Sequence, residues 1–140
     1  MRVLVWLVED TWESAIVQTI ASVPESAEIT LLFVVDAEQQ EQPRSTISDE
    51  VARGLLREAR TRLGRAAAHE LRHGRVEREV VAAAADADLL VMARDRDRSR
   101  LGPGSIGPHA QSVLDHTPCR VLLVWPDRPP SASTLRPAPY

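Results

Sequence analysis

The sequence has no lysine, a single cysteine and no long apolar run. With Cys119 alone, an intramolecular disulfide is impossible and a cysteine-based zinc knuckle lacks ligands. No stretch approaches the ~18 apolar residues of a membrane-spanning helix, so no membrane partner is expected. The opening run MRVLVWLVED meets acids after Val8 and is too short for a secretory leader, so a cytoplasmic location is expected. All 17 basic residues are arginine. Arginine forks grip phosphates better than lysine does. A GC-rich coding sequence, which the many alanines match, accounts for the bias equally well. The net charge of −3 and pI near 5.8 leave no overall attraction for nucleic acid.

What is present describes one domain. The 140 residues, 44% apolar and 26% charged, suffice for a single hydrophobic core. Val3 to Val8 and Ile29 to Val35 are apolar runs, the second broken only by Thr30, the pattern of strands buried on both faces of a parallel sheet. Between them, Trp12 to Ala21 repeats apolar residues at helical spacing, and Pro24 closes that helix. Ala37 to Ser45 is polar and reads as a mobile loop. Ser48 is a candidate N-cap, without the full capping box because Val51 stands where Glu or Gln would. The apolar stripe from Val51 through Leu55, Leu56, Ala59, Leu63, Ala66, Ala67 and Leu71 predicts one long helix to His73, stopped by Gly74.

A strand at Val76 to Val81 would leave too few residues for a parallel crossover, which takes about a dozen. A short helix is therefore expected there, with the third strand shortened or lost. Leu89 to Met92 and Arg120 to Trp125 are the last strands, with a helix from Pro108 to His116 between them. The expected fold is α/β: an open parallel sheet of four to five strands with helices on both faces. Residues 1–128 form the domain and 129–140 a disordered tail.

Open parallel sheets bind ligands beyond the carboxyl ends of their strands. After Met92 comes ARDRDRSRLGPGSIGP, the most unusual stretch in the chain. Gly102, Gly104 and Gly107 lead into a helix start, and Ser105 offers a hydroxyl, so this loop is a candidate anion cradle. Arg94, Arg96, Arg98 and Arg100 would add charge-assisted donors, unless the neighbouring Asp residues neutralise them in a solvated turn.

Other groupings carry less. His69 and His73 are spaced to share a metal on a helix, but no third ligand completes them in sequence. His109, His116 and Cys119 could converge, although Cys119 opens a buried strand where cysteine is usually a small hydrophobe. Asp86 and Asp88 read as a solvated turn. Ser105 has no G-x-S-x-G elbow around it, so nothing supports nucleophilic catalysis. Trp12 stands beside the strand edge, where it would either join the core or stack on a planar ligand.

Asp88-Leu89-Leu90-Val91-Met92 and Val113-Leu114-Asp115-His116-Thr117-Pro118-Cys119-Arg120-Val121-Leu122-Leu123-Val124 resemble the C-terminal half of a universal stress protein domain. The N-terminal VLVWLVEDTWES resembles that family's first strand and turn, and the likeness spans roughly residues 1–126. It implies a Rossmann-like fold of the adenine nucleotide alpha hydrolase type, five parallel strands, and usually a dimer. The family's ATP-binding branch carries G-x2-G-x9-G-[S/T] after the fourth strand. Aligned on Pro118-Cys119, the third glycine falls on Gly107 and the hydroxyl position on Pro108, with Asp97 and Arg94 in place of the earlier glycines. Aligned on Gly104-Ser105, the earlier positions are Arg94 and Val91. Both leading glycines are missing in either register. The family's adenine-contacting aspartate would fall near Val8, and Asp10 is close but displaced.

ATP is thus a possible cofactor with a degraded glycine motif. The expected function is that of a non-enzymatic stress-response protein, a dimer with an altered or vestigial nucleotide site. The alternative is a nucleotide-binding protein using the Gly102–Gly107 loop. The last strand is apolar and terminal, so pairing of Arg120–Trp125 with a second copy would cover its edge. An unidentified protein or a small anionic ligand would be the further partner.

Overall fold

The computed structural model describes residues 1–36, 48–94 and 106–125. Strands and helices alternate: β1 (Arg2–Leu7), α1 (Trp12–Ser22), β2 (Glu28–Asp36), α2 (Asp49–Leu63), β3 (Ala68–Gly74), α3 (Val76–Ala84), β4 (Leu89–Ala93), α4 (Pro108–His116) and β5 (Arg120–Val124). The five strands form one sheet in the order β3-β2-β1-β4-β5, and every pairing is parallel. This is the expected α/β architecture. The loop at Ala37 to Ser45 and the tail from Pro129 lie outside the described residues.

Because successive strand residues point to opposite faces, the central strands feed two cores. Val3, Val5, Leu7, Leu31 and Phe33 pack with Ile16 of α1 and Leu56 of α2 on one side. Leu4, Trp6, Leu32, Leu90 and Met92 pack with Val80 of α3 and Val113 of α4 on the other. The continuous Val/Leu runs follow from burial on both faces.

The long helix to His73 is the expectation the structure corrects. Ser48 does cap α2, its Oγ accepting from the Val51 N–H at 3.3 Å. The helix then stops at Leu63, because Gly64 takes the left-handed conformation (φ +71°) and its N–H bonds the Arg60 carbonyl. The apolar stripe continued past this stop only by coincidence of spacing. Ala68 to Gly74 instead forms the third strand, pairing with β2 from Thr30↔Ala68 to Asp36↔Gly74. The third strand is neither shortened nor lost, and it lies upstream of Val76 to Val81. The crossover requirement is met by α3, the short helix expected from Val76 onward.

Candidate functional site

Strand order reverses at β1. From there the chain winds outward through β2 to β3, then returns to β4 and winds the other way to β5. In such sheets the crevice beyond the carboxyl ends at the reversal is the ligand position, here between the ends of β1 and β4.

The β1 side of the crevice is a tight turn. The Val8 carbonyl accepts from the Thr11 and Trp12 N–H groups at 3.1 and 3.0 Å, fixing the start of α1. Val8 is 39% exposed, and Asp10 is exposed beside it. Trp12 is not an open stacking platform. It is 8% exposed within the core, and the Arg62 guanidinium lies 5.3 Å from its ring centroid. Arg62 also pairs with Glu13 at 3.0 Å, which holds it there.

On the β4 side, Arg94 is the first residue beyond the strand. Its N–H donates to the Val124 carbonyl at 2.9 Å, so the ladder with β5 continues one bond past β4. Its guanidinium stacks on Trp125, 3.9 Å from the ring centroid. Gly107 is buried at the N-cap of α4 with φ +90°, followed by Pro108 at the first helical position. Its carbonyl accepts from the Gln111 N–H at 2.9 Å. The structure therefore places Arg94 and Gly107 at the carboxyl edge, with Val8 and Asp10 after β1. Gly102, Gly104 and Ser105, with Arg96, Arg98 and Arg100, lie outside the described residues.

Two histidine–carboxylate contacts occupy the same edge, and sequence reasoning missed both. His73 Nε2 meets Asp49 Oδ1 at 2.7 Å, joining the end of β3 to the start of α2. His109 Nδ1 meets Glu77 Oε1 at 2.6 Å, joining the starts of α4 and α3. Partial burial pushes the Glu77 carboxyl up, but hydrogen bonds from its own backbone and His109, with the charges of His109 and Arg75, outweigh it. The net shift is downward. These partners lie 24 and 32 residues apart, and no local spacing signals them.

The candidate metal ligands are not brought together among the described residues. His69 and His73 lie on a strand rather than a helix. Among the described residues no group of three or more His, Cys, Asp or Glu is placed to hold a metal. His109 and His116 stand at opposite ends of α4, about 10 Å of helix apart. His116 Nδ1 bonds the Ser112 carbonyl at 2.8 Å. Cys119 meets Thr117 Oγ1 at 3.7 Å. Asp88 serves the sheet: its Oδ2 accepts from the Arg2 N–H and its own N–H donates to the Arg2 carbonyl, both at 2.8 Å. No helix among the described residues is long and apolar enough to cross a membrane.

The reversed parallel sheet with its edge crevice defines a Rossmann-like α/β protein. The profile of the Universal stress protein family matches residues 9–124. The chain belongs to that family. No curated protein matches it, but solved structures share the fold. A universal stress protein in complex with cAMP is 17% identical, with a TM-score of 0.67 over 91% of this chain and 98% of that one. The Archaeoglobus fulgidus universal stress protein in complex with dAMP is 15% identical, with a TM-score of 0.61 over 89% and 97%. A universal stress protein from Lactobacillus plantarum is 18% identical, with a TM-score of 0.65 over 89% and 97%.

Proposed function

We propose that this chain is a dimeric, non-enzymatic stress-response protein of the cytoplasm, with an altered adenine-nucleotide site at the carboxyl edge of its sheet. The observation that carries the site is the reversal of strand order between β1 and β4, with Val8 and Asp10 on one side and Arg94 and Gly107 on the other. Adenine monophosphates occupy two structures of the same fold, which supports this ligand class over other anions. In either register Arg94 stands at one of the two leading glycine positions of the family's motif, so the phosphate contacts differ from those of the ATP-binding branch.

The dimer is supported by the unlike edges of the sheet. The β3 edge carries His69, Glu70, Arg72 and His73, and charged side chains discourage strand addition. The β5 edge carries Val121, Leu122 and Leu123, only partly buried in the single chain. A second copy paired along β5 would cover that apolar edge.

Calorimetric titration of the nucleotide-free protein with ATP and AMP, with and without magnesium, tests the site. We expect micromolar binding of AMP. Binding weaker than about 1 mM, only ~4 kcal/mol, would overturn the nucleotide reading and leave an assembly protein. Magnesium-dependent ATP binding stronger than that of AMP would instead favour a phosphate cradle at the Gly102–Gly107 loop.

A further inference from the structure

Arg94 and Trp125 each follow directly on a strand, β4 and β5 respectively. The register pairs Ala93 with Val124, so the next residues, Arg94 and Trp125, stand opposite one another. Alternation along both strands puts them on one face. Leu90 and Met92 on β4, and Val121 and Leu123 on β5, belong to the core beneath α4, and Arg94 and Trp125 continue those two rows. The 3.9 Å stack is the outcome of that register.

The Arg94 backbone N–H is committed to the Val124 carbonyl, so at this position a phosphate oxygen can find a donor only in the side chain. A guanidinium stacks through its face and hydrogen-bonds through its edge, and the two uses are compatible. An indole against the face removes rotational freedom that a long arginine otherwise loses on binding.

We infer that Trp125 is a positioning residue that holds the Arg94 guanidinium for edge-on recognition of a phosphate-bearing ligand, on the α4 side of the sheet's carboxyl edge. This rests on the nucleotide reading above and assigns the phosphate contact within it. The phosphate is gripped by a side chain held on the outer strand pair.

The test titrates the full chain with AMP, adenosine and inorganic phosphate, following heat and tryptophan emission. Arg94→Ala is expected to lower AMP affinity by at least about tenfold, the scale of a charge-assisted hydrogen bond, and to leave adenosine within about twofold. Trp125→Leu is expected to cost about fivefold for AMP through the lost stack, while Trp125→Phe, which keeps a ring face, retains most of it. Saturating AMP is expected to change the wild-type emission and not that of Trp125→Phe.

Unchanged AMP affinity in Arg94→Ala would overturn the inference while leaving nucleotide binding standing. Equal losses for adenosine and AMP would also overturn it, because Arg94 would then support the fold rather than the phosphate. So would equal losses in the Phe and Leu variants. A wild-type protein that binds neither AMP nor adenosine removes the nucleotide reading itself, and the inference with it.

Discussion

Glu77 and His109 meet at 2.6 Å across the first turns of two helices that are 32 residues apart in the chain. The carboxylate sits at the start of α3, where the helix dipole favours negative charge. The imidazole sits at the start of α4 and meets that carboxylate across the two helix starts.

This pair gives the fold a pH dependence with a definite sign. The Glu77 carboxyl is held below its ordinary value of 4.5 in the folded chain. Its contribution to stability is therefore complete above the unfolded-state value and disappears as pH falls through the folded one. Glu77→Gln is expected to lower stability by about 0.5–1 kcal/mol at pH 6–7. The difference from wild type should close as pH falls below 4.5 and through the lower folded-state value. Urea denaturation midpoints across pH 3 to 7 would check this, and a difference that stays constant with pH would refute it.

Gly64 isolates the cost of a helix stop. A Cβ added there would meet no atom within 4 Å, so only the backbone at φ +71° resists substitution. Gly64→Ala is expected to destabilise by about 1 kcal/mol, without a cavity or clash. Chemical denaturation measures this directly. A loss several-fold larger would show that the turn into β3 carries more than conformational preference.

Leu31 and Leu56 are almost entirely buried in the same core, one on the sheet and one on α2. Truncation of either to alanine is expected to cost about 2–5 kcal/mol, the transfer of the side chain plus the cavity left behind. Thermal unfolding should show both variants losing much of the margin typical of a single domain.

Pairing at the β5 edge is testable without touching the ladder to β4. The Val124 carbonyl accepts from Arg94, so the backbone groups of Val124 face β4 and those of Val121 and Leu123 face outward by alternation. Proline at position 121 therefore removes an outward N–H, a substitution edge strands tolerate. Val121→Pro is expected to sediment as a monomer with near-native circular dichroism while wild type sediments as a dimer. A wild-type monomer at micromolar concentration would overturn the dimer.

The strands beside the crevice were readable because each is a continuous apolar run. Val3 to Leu7, Leu31 to Val35 and Leu90 to Met92 are buried on both faces, and such burial needs apolar residues at every position. The third strand was unreadable for the complementary reason. As an edge strand it buries little, so Ala68 to Gly74 carries the mixed composition of a surface helix. Leu71 fell by spacing onto the stripe of α2. Gly64 was the signal that could have separated the two, being the left-handed stop that a fifteen-residue helix needs.

The site divides in the same way. Val8, Asp10, Arg94 and Gly107 were placed by their position after strands or before a helix, which depends only on local order. The roles of Trp12 and Trp125 depended on what lies across from them. Arg62 reaches Trp12 from another helix, and Arg94 reaches Trp125 from the neighbouring strand.

By itself the sequence determined the alternating parallel architecture, the two-faced core and which residues follow the carboxyl ends of its strands. These follow from hydrophobic periodicity and chain order, which are local properties. Only the tertiary structure decided which histidines meet which carboxylates, and that Arg94 lies against Trp125. Those contacts join residues 24 or more positions apart, brought together by strand register and helix packing.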